Sequence, residues 1–164
     1  MAVQRRDKEN YYLDIAQAVC GRGTCLRRNY GAIIVKYDEI ISTGYSGAPR
    51  GRKNCIDMGV CLREELGIPH GERYELCRSV HAEANCIISA SRGEMLSGTM
   101  YLVGTDAATG ELIPDAGSCA MCRRLIINAG LDRVVVRNTP NEYTETIVRD
   151  WIFNDDSLTG KFGY

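Results

Sequence analysis

His81-Ala82-Glu83-Ala84-Asn85-Cys86, completed further on by Cys119-Ala120-Met121-Cys122, is the stretch around which the chain is arranged. One histidine and two cysteines suffice to hold a zinc ion. Three protein ligands leave the fourth tetrahedral position open for water, which marks a catalytic rather than a structural site. Glu83 stands two residues from His81, near enough to reach that water without ligating the metal. Both segments read as helices. The first covers 81–92, with Ala82, Cys86 and Ala90 on one face; the second covers 119–129 and stops at Gly130. Cys119 and Cys122 are three apart, hence on one helical face. Each motif begins its helix, where the positive end of the dipole favours thiolates at Cys119 and Cys122.

Outward from these helices the chain alternates. Residues 99–104 and Arg133–Arg137 read as strands flanking the second helix, and 31–36 and 39–45 as a hairpin turned at Tyr37-Asp38. Residues 5–19 predict a first helix capped by Asp7, with Tyr12, Ile15, Ala16 and Val19 at helical spacing. This order of elements implies an α/β fold, a sheet covered by helices. Residues 50–80 show weak periodicity but carry Cys55, Cys61, His70 and Cys77, with a short helix expected near 61–66. So long a loop in a compact domain needs a pin, and a structural metal would supply one. Residues 105–118 predict a polar loop. In the tail from about 140 to 164 only a short helix near 147–153 is suggested.

The 164 residues fit one domain spanning 1–164, and a hydrophobic content of 45% is enough for a core. The formal net charge of −1 argues against a polynucleotide partner. The sequence has no apolar run of membrane-spanning length, and its first ten residues are polar, so a cytoplasmic protein is expected. There, eight cysteines suggest metal binding before disulfides. Of the two histidines, His81 belongs to the first motif and leaves His70 for any other metal.

Zinc brings the pKa of bound water to about 7, and a neighbouring carboxylate can take that proton and deliver it elsewhere. Taken alone, Cys-x-x-Cys also fits a structural knuckle or a redox pair, and His81 a core histidine. Helix, strand and helix in the order this chemistry needs favour the catalytic site, with His81, Cys119 and Cys122 as ligands and Glu83 as the proton carrier.

The chain resembles the deoxycytidylate (dCMP) deaminases of the zinc-dependent cytidine deaminase superfamily, whose pattern is H-x-E followed by P-C-x-x-C. The resemblance is carried by 31–35, by 41–49 (Ile-Ser-Thr-Gly-Tyr-Ser-Gly-Ala-Pro), by Asn54-Cys55, by 77–85 and by 119–130. It implies a three-layer α/β/α sandwich with a mixed sheet. It also implies hydrolysis of dCMP to dUMP and ammonia by a zinc-bound hydroxide, with Glu83 as proton shuttle, supplying dUMP for thymidylate synthesis. Activation by dCTP carrying Mg²⁺, inhibition by dTTP and a homo-hexamer are implied as well. Ser118 stands in place of the usual proline, Ser46 in place of the usual asparagine, and the 105–118 loop is long for the family.

Some members of this family hold a structural zinc before the catalytic histidine. Cys25 and Cys55 match two of its ligand positions, His70 and Cys77 are the candidates for the others, and Cys61 is a spare that would substitute for Cys25. This zinc would pin a loop over about 46–80. For substrate or effector the candidates are Gly44, Tyr45, Ser46 and Gly47 in the glycine-rich turn, Asn85 on the metal helix, and Arg27 and Arg28 as phosphate donors. Asn85 equally suits bracing the adjacent loop, and the arginines equally suit solvated loop charge. Competing functions are a zinc deaminase of free cytidine or of a tRNA base, and a non-catalytic zinc-binding assembly module. Glu83 counts against the last.

Overall fold

The computed structural model describes residues 3–157. Asp7 caps the first helix, α1 (Lys8–Cys20), through a hydrogen bond from the Asn10 amide at 2.9 Å. A hairpin follows, β1 (Arg28–Lys36) and β2 (Glu39–Tyr45). Tyr37 and Asp38 both take positive φ at its turn, as a two-residue loop matched to strand twist requires. The long loop holds two single-turn helices, α2 (Cys55–Met58) and α3 (Leu62–Glu65), and a 3₁₀ turn at Tyr74–Leu76. Then come α4 (Ala82–Ile88), α5 (Arg92–Met95), β3 (Thr99–Asp106), α6 (Ala120–Ala129), β4 (Arg133–Arg137), β5 (Tyr143–Ile147) and α7 (Val148–Phe153).

The five strands lie in the order β2-β1-β3-β4-β5. β3 and β4 are parallel, joined by the α6 crossover, and the other three pairs are antiparallel. Strand alternation sorts the core into two layers. Ile33, Val35, Tyr101, Val103 and Val135 meet Tyr12, Leu13 and Ala16 of α1. Ala32, Ile34, Met100, Leu102, Val134 and Val136 meet Ala82, Cys86, Ile126 and Ala129 of α4 and α6, with Val148 of α7. The three layers and the mixed sheet agree with the expected sandwich.

Two elements differ from the sequence reading. The helix expected over 81–92 is two helices, because Ser91 and Glu94 form a capping box that starts α5 afresh. β5 emerges from the tail by pairing with β4. Its residues are mostly exposed, so no alternating buried face marks it in the sequence. The part of the tail beyond 157 lies outside the described residues.

Two glycines set the layer spacing. A Cβ on Gly31 would sit 2.3 Å from the Cys20 amide nitrogen and 2.4 Å from the Ala16 carbonyl oxygen of α1. A Cβ on Gly44 would sit 2.3 Å from the Cys86 nitrogen and 2.4 Å from the Ala82 oxygen of α4. Backbone cannot yield as a side chain can. Gly44→Ala is therefore expected to cost about 1–3 kcal/mol or more. In thermal unfolding that is a Tm lower by at least about 2 °C; an unchanged Tm would contradict the close approach.

Candidate metal centre

His81 is the N-cap residue of α4 and Cys119 the N-cap residue of α6, both in extended conformation. Cys122 follows one turn into α6 and is buried. Because α4 and α6 pack side by side on one face of the sheet, their N-termini converge. Nδ1 of His81 lies 3.5 Å from the Cys119 sulfur and 3.4 Å from that of Cys122. The three ligand atoms all lie within 4.8 Å of one another, the one such group among the described residues. Ligand atoms at tetrahedral zinc bond lengths stand about 3.5 Å apart. The donor set and its spacing therefore fit zinc with one position open.

Glu83, in the first turn of α4, is 4% exposed. Burial pushes its carboxyl pKa up, against the opposing pull of His81. Ser118 lies beside it, itself buried, and acts to lower that pKa. The Cys119 thiol is held far below its usual value by its hydrogen bond with Cys122, and His81 adds to this. The same bond pushes the Cys122 thiol up. Burial acts to lower the His81 pKa, but Cys119 and Glu83 outweigh it and the imidazole ends above its ordinary value. A bound metal overrides this proton sharing, since a coordinated thiol is deprotonated outright.

The other sequence candidates lie on the glycine-rich turn, on α4 and at the approach to β1. The Asn85 amide donates to the Tyr45 carbonyl at 2.8 Å and the Val80 carbonyl at 3.4 Å, so it braces the glycine-rich turn against α4. Ser46 is buried and accepts from the Tyr30 amide at 2.9 Å, and Gly47 pairs with Val80 across an isolated bridge. Gly44 serves the contact with α4, while Tyr45 is partly exposed. Arg27 pairs with Glu64 of α3 at 3.1 Å, and Arg28 lies beside the Tyr30 phenol.

Cys25, Cys55 and Cys77 sit on segments that the loop brings together, but no three of the ligand atoms of Cys25, Cys55, Cys61, His70 and Cys77 lie within 4.8 Å of one another. The Ile56 amide donates to the Thr24 carbonyl at 3.3 Å, and Arg78 to the Lys53 carbonyl at 2.7 Å. Burial raises the Cys55 thiol, and Cys25 and Cys61 raise it further; burial raises Cys77 as well, with Cys25 and Cys55 adding to it. His70 is exposed, and the charged groups acting on it are Arg28, Arg27 and Arg63. Two residues with no sequence signal also emerge. Tyr74 and the His81 ring form a T-shaped pair, centroids 4.8 Å apart, and the buried Arg63 lies over the Tyr74 ring at 4.6 Å. A lone arginine and a lone tyrosine in a loop belong to no motif, and only folding brings them to the metal ligands.

Comparison with known proteins places these features. The family described as cytidine and deoxycytidylate deaminase zinc-binding region matches residues 6–138. The deoxycytidylate deaminase of Mycobacterium phage D29 is 33% identical over 138 residues, covering 81% of this chain and 96% of the relative. That of Schizosaccharomyces pombe is 30% identical over 138 residues, 84% of this chain but only 39% of the relative. The chain thus spans well under half of the yeast protein and nearly all of the phage one. The crystal structure of dCMP deaminase from cyanophage S-TIM5, in complex with dCMP and dUMP, superposes with a TM-score of 0.57 at 21% identity. That match covers 82% of this chain and 84% of the other, a likeness of fold.

Proposed function

Since the chain belongs to the cytidine and deoxycytidylate deaminase family defined by this zinc-binding region, we propose that it hydrolyses dCMP to dUMP and ammonia. The observation that carries the reading is a buried carboxyl, Glu83, placed beside a His-Cys-Cys group that fits zinc with an open position. The deoxycytidylate deaminases among the relatives, the phage one spanned almost whole, support the nucleotide as substrate.

Zinc, when bound by His81, Cys119 and Cys122, supplies water acidified to a pKa of about 7. Glu83 does the rest. Its carboxylate takes the proton of the attacking water and passes it to the ring nitrogen next to the amino-bearing carbon. The water's oxygen bonds to that carbon; its remaining proton then goes through the same carboxyl to the amino group, the carbon–nitrogen bond breaks, the carbonyl forms and ammonia leaves. Burial suits this role, because it raises the carboxyl towards the working pH and keeps bulk water from the transfer. Arg27 and Arg28, ahead of and at the start of β1, are the proposed phosphate donors, and Tyr45 the exposed contact of the glycine-rich turn. Gly44, Ser46, Gly47 and Asn85 act from behind by holding that turn.

We further propose activation by magnesium-bound dCTP, inhibition by dTTP and a hexameric assembly, all of which rest on the family reading. A cytoplasmic location is supported by the cysteines, all eight unpaired. No helix among the described residues is long and apolar enough to cross a membrane. A second, structural zinc is proposed on Cys25, Cys55 and Cys77. For its fourth ligand the half-buried Cys61 is favoured over the exposed His70.

Three measurements test this. Deamination is expected on dCMP and not on deoxycytidine; equal rates on both would refute the phosphate requirement, and indifference to dCTP or dTTP would refute the regulation. Glu83→Ala is expected to keep zinc while losing at least about 10²-fold in turnover, the contribution of a positioned acid–base group. Metal analysis should find two zinc ions per chain, two in His70→Ala and one in Cys61→Ser. A single ion in the unaltered protein would remove the structural site.

A further inference from the structure

The His81 imidazole makes two kinds of contact. Nδ1 faces the two cysteine sulfurs at 3.5 and 3.4 Å. In zinc sites the plane of a ligating imidazole is ordinarily fixed from its far side by an outer partner. Here an aromatic ring from the long loop is packed against it. Tyr74 meets the imidazole at an interplanar angle of 83°, the edge-to-face geometry that aromatic pairs favour. The edge contact leaves the imidazole little freedom to rotate out of the plane that aims Nδ1 at Cys119 and Cys122.

Tyr74 is itself held. Arg63 of α3 is 5% exposed, and its guanidinium lies 4.6 Å from the Tyr74 ring centroid on the ring face. The same guanidinium donates through Nη2 to the Pro69 carbonyl at 3.2 Å and the Glu72 carbonyl at 2.6 Å. Arg63 thus gathers the turn at 69–72 and the ring of Tyr74 onto one plane. A planar cation that stacks and forks at once is an arginine property that lysine lacks.

We propose that Tyr74, clamped by Arg63, is a positioning residue that fixes the His81 ring for metal binding and so couples the order of the long loop to the catalytic zinc. The proposal rests on the reading of His81 as a zinc ligand. It assigns Tyr74 and Arg63 a role that composition and motif do not reveal, and it makes the loop part of the metal site without supplying a ligand to that ion.

The test follows zinc transfer from the purified full chain to a chromophoric chelator, taking the phase that disappears in His81→Ala as the ion of interest. Tyr74→Leu is expected to accelerate that phase about tenfold, the usual effect of losing an outer partner. Tyr74→Phe, which keeps the ring edge, should leave it unchanged, and Arg63→Lys, which keeps charge but not the plane, should show part of the acceleration. In the cobalt-substituted protein the visible bands should shift in Tyr74→Leu and not in Tyr74→Phe. A release rate in Tyr74→Leu equal to that of the unaltered protein would overturn the proposal, as would Tyr74→Phe behaving like Tyr74→Leu. If no phase depends on His81, the ligand assignment itself falls and the positioning role with it. Substrate identity does not enter any of these readouts, so failure of the dCMP assignment would be seen separately.

Discussion

There is no room for one further carbon between the Gly44 α-carbon and the backbone of α4. That approach presses the metal helix against the hairpin and sets where His81 stands. The end of β2 continues into Gly47, which pairs with Val80 just before α4 begins. The start of α4 is thereby tied to the edge of the sheet where β2 and β3 end, since both are antiparallel to β1. Near that edge Gly104 lets Ala116 come close to the end of β3, and α6 starts a few residues later. Two helices covering one face therefore begin beside each other, and a histidine and two cysteines meet.

Converging two helix N-termini concentrates partial positive charge in one place. Thiolates gain from it, and Glu83 is tolerated there despite burial that favours its neutral form. The opposite face of the sheet carries no such demand. There α1 is fastened by Arg137, fully buried at the end of β4, which donates to the Gln17 side chain at 2.7 Å and the Asn10 carbonyl at 3.1 Å and pairs with Asp14 at 2.8 Å. One face carries the His-Cys-Cys group and the other anchors α1, with the shared strands between them.

The long loop joins the two concerns. It has little apolar surface of its own in the core, so its order comes from polar and aromatic fastenings. These are Asn54 at the start of α2, which takes a hydrogen bond from the Thr24 hydroxyl at 3.0 Å; Arg27 on Glu64; Arg78 on the Lys53 carbonyl; and Arg63 over Tyr74. Such contacts are weaker singly than core packing.

The sequence by itself determined the His-Cys-Cys group and the carboxylate beside it, because ligand chemistry restricts residue type and helical spacing restricts position. It also determined the Asp7 cap, the hairpin turned at Tyr37-Asp38, the stop at Gly130 and the buried strands, since each depends on a local conformation or a periodicity. Only the tertiary structure decided the rest. β5 exists because β4 offers an edge. The helix over 81–92 breaks because Ser91 and Glu94 cap a new one. The glycine-rich turn and Asn85 turn out to brace each other, and Gly44 answers to helix packing. Tyr74 and Arg63 reach the metal ligands although no spacing relates them to His81. These features depend on which surfaces meet across long sequence separations, and that information lies in the packing of the whole chain.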